Sequence, residues 1–172
     1  NCDSNSRSKK SQRFNITKGD VIAHESFDLD QANKGNDIAL IRLPREAITS
    51  NEKLDKTVLP ACLDWDQAYQ NPANIYIVAG WGRTTNDVYD RGDLNESGAS
   101  SSRLMQVELP HIPLDQCISD WYSVGYNITP DKIICAGGIK GKGNCAGDSG
   151  GPLVAKRNGI YFLEGITSFG RP

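Results

Sequence analysis

Residues 143–153 read GNCAGDSGGPL, which places Ser149 among four glycines and directly after the acid Asp148. A serine hydroxyl is a weak nucleophile at neutral pH. A site that uses one needs a base for its proton and donors for the negative charge that develops on the attacked oxygen. Without a Cβ at Gly147, Gly150 and Gly151 the backbone can turn sharply and approach a substrate closely. The amides of Gly147 and Ser149 then aim into one small volume, as an oxyanion hole requires. An incidental serine in a glycine-rich loop is the alternative, and the unbroken run GDSGGP before an apolar strand speaks against it. The base is harder to find. His24, in VIAHESFD, and His111, in LPHIP, are the two imidazoles, and both read as surface or strand-end residues.

The elements that would position such a serine are short and β-prone. Apolar or alternating runs fall at 20–23, 38–43, 75–81, 104–109, 133–136, 153–156 and 160–168, separated by turn signals, so the chain reads as all-β. Asn158-Gly159 can take the positive φ of a tight hairpin between the last two runs. One helix is expected from about Pro113, with Leu114, Cys117, Ile118, Trp121 and Tyr122 on one face. The segment 84–102 carries four acids and several serines with almost nothing to bury, and is expected as a solvated loop. Its Arg91-Gly92-Asp93 tripeptide and the basic opening around Arg7 to Lys18 are read as solvated surface.

Composition narrows the class. With 172 residues, 38% of them hydrophobic, the chain can bury a core. Its net charge of −2 provides no field for nucleic acid, and no apolar run reaches the ~20 residues of a membrane span. The polar start without an initiator Met suggests an internal segment of a longer precursor. Five cysteines without a CxxC pair, beside two histidines, fit disulfides better than zinc, and the acids are too scattered for a calcium cage. No metal or cofactor is expected. Sequons at Asn15, Asn95 and Asn127 favour an extracellular, secreted setting.

GDSGGPL closely resembles the nucleophile motif of the chymotrypsin-like serine proteases, and the chain is identified as a member of that family. NDIALIRL is similar to the family's aspartate motif, and VAGWG (78–82) and ITSFG (166–170) match further landmarks in order. The wording of NDIALIRLPREA and VLPACLDW is similar to arthropod clip-domain proteases. The resemblance covers nearly all of 1–172 and implies the family's fold, a double six-stranded β-barrel. Residues from 1 to about 70 would be the end of the first barrel. Those from about 71 to 172 would be the second barrel without its last strand and C-terminal helix.

For the site, the resemblance implies Ser149 as nucleophile, Asp37 as the acid that orients the histidine, and the Gly147 and Ser149 amides as oxyanion hole. Gly143, Asn144, Ser168, Phe169 and Gly170 would bind substrate, with Phe169 where the family usually has tryptophan. Gly143 stands where an aspartate would select Arg or Lys, so cleavage after basic residues is not expected. Asp148 would be the activation acid, here buried without its cation. Cys117 and Cys135 would form a disulfide worth roughly 3 kcal/mol. Cys62 resembles the tether to a propeptide, and Cys2 and Cys145 have no assigned partner. Protein or peptide substrates, an upstream activating protease and serpin-type inhibitors are the implied partners.

In this triad the histidine precedes the aspartate by about 45 residues, whereas 36 residues precede Asp37. The base is therefore expected before Asn1, and the isolated segment is expected to be inactive. The alternative class is a non-catalytic protease homologue that acts as a binding or cofactor protein.

Overall fold

The computed structural model describes residues 14–44, 61–63, 75–84 and 100–171. Asn95, Cys2 and the Arg91-Gly92-Asp93 tripeptide lie outside them. The architecture is all-β, as the sequence predicts. Strands β1 (Val21–Ala23) and β2 (Ala39–Ile41) form an antiparallel pair. A six-stranded curled sheet follows, built from β3 (Cys62–Leu63), β4 (Ile75–Gly80), β5 (Met105–Ile112), β6 (Cys135–Ala136), β7 (Pro152–Arg157) and β8 (Ile160–Ile166), in the spatial order β3-β8-β7-β4-β5-β6.

The core follows from the period-2 geometry of strands, which sends alternate side chains to one face. Tyr76 and Val78 of β4, Leu109 of β5, and Leu153 and Ala155 of β7 are buried together, with Val107, Ile134 and Ala136 packed against them. Register explains the cluster. Tyr76 lies opposite both Leu109 and Ala155, and Val78 opposite both Val107 and Leu153, so the core is a set of cross-strand neighbours. Asn158 (φ 50) and Gly159 (φ 84) make the tight turn between β7 and β8 with the positive φ expected of them.

Helix α1 (Leu114–Tyr122) starts behind Pro113, whose ring cannot continue a strand ladder. It buries Cys117, which is disulfide-bonded to Cys135 of β6 across 6.2 Å between Cα atoms. One face was expected to run from Leu114 to Tyr122, but Tyr122 is 74% exposed. The helix ends there in the turn at Ser123–Gly125, and Trp121 takes the inner position. Two features lack a periodic signal in the sequence: two-residue β3, which pairs parallel to β8, and the 3-10 turns at Leu29–Lys34. Residues 85–99 of the expected loop are not described, and Arg83 and Ser100 on either side of them pair as an antiparallel bridge.

Two polar groups sit against this sheet. His111 packs edge-on to Tyr76 at 5.9 Å between ring centroids, and its Nδ1 is enclosed with no hydrogen-bond partner among the described residues. The Glu164 side chain is 0% exposed, with Oε1 2.6 Å from Nη2 of Arg157, whose guanidinium also lies 5.6 Å above the Phe162 ring.

Two outcomes are expected. Burial holds the His111 pKa below its usual 6.5, so the fold favours the neutral ring. That contribution is complete above the unfolded value and is lost as pH falls through the lowered one. The melting temperature should therefore drop more steeply below pH 6.5 in the parent than in His111→Phe. Separately, Glu164→Gln leaves the Arg157 cation facing a neutral amide, and urea titration should show a loss of about 3–5 kcal/mol.

Candidate active site

The glycine-rich stretch forms two successive turns. Asp148 N donates to Cys145 O at 3.0 Å and Gly151 N to Asp148 O at 2.9 Å, with Gly147 (φ 99) and Gly150 (φ 78) in the left-handed region that favours glycine. Ser149 stands exposed between the turns. The amides of Gly147 and Ser149 donate to no protein acceptor among the described residues, so both remain available for an anionic oxygen.

The loop is seated on the end of β4 by the side chain of Asp148. One carboxylate oxygen accepts from Gly82 N at 2.7 Å and the other from Cys145 N at 2.9 Å. Asp148 was expected as a buried acid lacking a cation. It is instead half-buried, and two amides supply the charge-assisted hydrogen bonds that a cation would otherwise replace. The fit depends on missing side chains. A Cβ at Gly80 would lie 2.1 Å from Asp148 Oδ1, and one at Gly82 would lie 2.5 Å from both oxygens. Neither glycine had been assigned a role. The signal was present in VAGWG, where two glycines flank a tryptophan directly after an apolar strand.

A second set of contacts joins the nucleophile loop to the acid. Gly150 N donates to Thr167 O and Thr167 N to Gly151 O, each at 2.8 Å, extending the β7-β8 ladder to both glycines that follow Ser149. The next residue, Ser168, donates its hydroxyl to Asp37 Oδ2 at 2.5 Å across 131 positions of sequence. Asp37 is exposed and lies in the turn between His24 and β2, where Ile38 N donates to Asn36 O at 2.8 Å. One strand end thus holds the two residues expected to be catalytic.

Asp37, Gly143, Asn144, Ser168, Phe169 and Gly170 all border one cavity of about 520 Å³, while Ser149 is not among its lining residues. The Asn144 amide sits against Gly170, where a Cβ would lie 3.3 Å from its Oδ1, and Gly143 has open space around it. Phe169 meets Trp121 edge-on at 5.0 Å, and Trp121 meets Tyr126 at 5.6 Å. The aromatic at 169 is therefore braced by α1. Neither histidine joins this group. His24 Nδ1 accepts from Ser26 N at 3.1 Å within its own turn, and His111 lies in β5 against Tyr76. Asn15 and Asn127 are exposed. No helix among the described residues is long and apolar enough to cross a membrane.

A family profile described as Trypsin matches residues 2–172. The chain is 33% identical over 153 residues to CLIP domain-containing serine protease B4 of Anopheles gambiae, covering 87% of this chain and 38% of the relative. It is 35% identical over 153 residues to Phenoloxidase-activating factor 3 of Holotrichia diomphalia, covering 87% and 39%. Against Trypsin-1 of Astacus astacus it is 36% identical over 156 residues, covering 90% and 56%. The chain thus spans about two-fifths of the length of the first two relatives and just over half of the third.

Substitution at Gly82 should separate loop seating from sheet formation. Gly82→Ala drives a methyl group into the Asp148 carboxylate and should cost about 1–3 kcal/mol in urea unfolding, with an unchanged far-ultraviolet spectrum. Gly143→Ala meets nothing within 4 Å and should stay within about 0.5 kcal/mol.

Proposed function

We propose, on the premise that the chain belongs to the trypsin family, that it comes from a secreted serine endopeptidase working through a Ser-His-Asp acyl-enzyme. Ser149 Oγ attacks the scissile carbonyl carbon and passes its proton to an imidazole. The C–N bond breaks as that proton moves to the leaving amine, and water then hydrolyses the ester by the same route in reverse. Asp37 holds the imidazole in the useful tautomer, and the Gly147 and Ser149 amides stabilise the oxyanion.

The observation that carries this reading is the linkage through β8. Ser168 holds Asp37 while its neighbour Thr167 holds Gly150 and Gly151 beside Ser149. With His24 and His111 both engaged elsewhere, the base is assigned to polypeptide other than these residues. Residues up to about 70 are assigned to a first barrel and those from about 71 to a second. Substrate backbone is assigned to the Ser168–Gly170 edge as an added β-strand. At Gly143 the specificity pocket presents no carboxylate, so an arginine side chain entering it would lose hydration without gaining a counter-ion. Apolar or aromatic side chains are favoured there.

Protein substrates follow from the protease family, and a zymogen switched through Asp148 by an upstream protease, with serpin-type inhibition, from the clip-domain likeness. N-glycans are assigned to Asn15, Asn95 and Asn127. Pairing of Cys117 with Cys135 fits the oxidising setting that secretion provides.

The test uses the activated full-length protein. It should react with a fluorophosphonate at Ser149 and hydrolyse peptide esters, with Ser149→Ala losing on the order of 10⁶ in kcat. Among matched substrates Phe and Leu should exceed Arg. Failure to label Ser149 would remove the catalytic reading and leave a binding protein on a protease scaffold.

A further inference from the structure

We propose that Lys132 and Asn36 are positioning residues that clamp the Asp37 turn onto the six-stranded sheet. The proposal rests on the reading of Asp37 as the triad acid. Asp37 lies in a turn outside any strand, and one hydroxyl contact to its carboxylate fixes the side chain far better than the backbone behind it.

What fixes that backbone is the pair of residues before it. Gly35 (φ 84) and Asn36 (φ 63) are consecutive left-handed residues, a conformation that must be held from outside when the second is not glycine. The Asn36 amide is used at both ends. Its Oδ1 accepts from Lys132 Nζ at 2.8 Å, and its Nδ2 donates to Ser26 O at 3.2 Å. Lys132 comes from the 3-10 turn Pro130–Lys132, which belongs to the region of the six-stranded sheet, so its bond to Asn36 crosses between the two parts of the structure.

An exposed lysine would ordinarily be a weak tether, because its long stem must be immobilised to make one bond. Here the stem is already seated. A Cβ built on Gly35 would lie 2.5 Å from Lys132 Cβ and 3.1 Å from its Cδ, so the lysine lies along buried Gly35 as along a groove. A parallel tie, Asn33 Nδ2 to Asn127 O at 2.8 Å, stops the segment from rotating about that contact. The acid is thereby held on two sides, by Ser168 at its carboxylate and by Lys132 through the preceding residue.

The experiment compares Lys132→Met, Asn36→Gly, their double variant and Asp37→Asn in the activated full-length protein on a short peptide ester. Asn36→Gly retains the left-handed backbone and the Lys132 charge, and removes only the acceptor. Both single variants should lower kcat about 5- to 30-fold with KM within about twofold, the range expected for sub-ångström misplacement of a catalytic group. The double variant should be no worse than either single. In Asn36→Gly the acid limb of the pH–rate profile should move to lower pH, because a displaced Asp37 stabilises the imidazolium less. Unchanged kcat and pH profile in Asn36→Gly, with Asp37→Asn inactive, would overturn the clamp. An active Asp37→Asn would overturn the triad reading itself. If Lys132→Met melts early, Asn36→Gly and its pH profile carry the decision.

Discussion

The hydrogen bond from Ser168 to Asp37 is the constraint on which the site depends, because it joins residues 131 positions apart that no strand pairing connects. Everything on the Ser149 side is one covalent neighbourhood with dense backbone bonding. Asp37 belongs to a turn that reaches the six-stranded sheet through side-chain contacts. A hydrogen bond that ends on a carboxylate is stronger than a neutral one, and it is directional. That suits a role in which the acid must point one way and keep its position while its charge stabilises a neighbouring ring.

The second constraint is the absence of side chains around Asp148. A carboxylate taken partly out of water needs replacement donors, or it protonates. Two amides meet that need at 2.7 and 2.9 Å, and they can approach because Gly80 and Gly82 leave the space empty. The consequence reaches Ser149. With Asp148 drawn down onto β4, the chain on either side must turn back, and Gly147 and Gly150 take the positive φ this requires. The outward placement of the serine and the inward seating of the acid are thus two results of one packing event.

These features were unequally legible in the sequence. Strands β4, β7 and β8 and the hairpin turn could be read because alternation and Asn-Gly are local signals with a direct steric cause. The role of Gly147 was readable for the same reason, since a glycine-rich turn beside a nucleophile has few other uses. Gly80 and Gly82 were not, because their function is defined by a side chain 66 or more positions away. Strand β3 is too short for any periodicity, and it is a strand only because β8 lies beside it. Tyr122 was misplaced by the helical pattern, which cannot register that α1 ends at that residue. The pairing of Cys117 with Cys135 came from family resemblance, as spacing alone leaves connectivity open.

Comparing energies shows where such a molecule gives way first. Burial of side chains such as Tyr76, Leu109 and Leu153 contributes about 1.5–3 kcal/mol each, and the cross-strand register makes those contributions cooperative. The contacts that carry Asp37 are side-chain hydrogen bonds at an exposed boundary, worth about 0.5–1.5 kcal/mol each when neutral. The sheet therefore outlasts the alignment of acid and nucleophile under heat or denaturant. Positional precision in this site is set by the weakest contacts in the structure, so substitutions along Asn33, Gly35, Asn36 and Lys132 can change chemistry without touching either the core or the nucleophile loop.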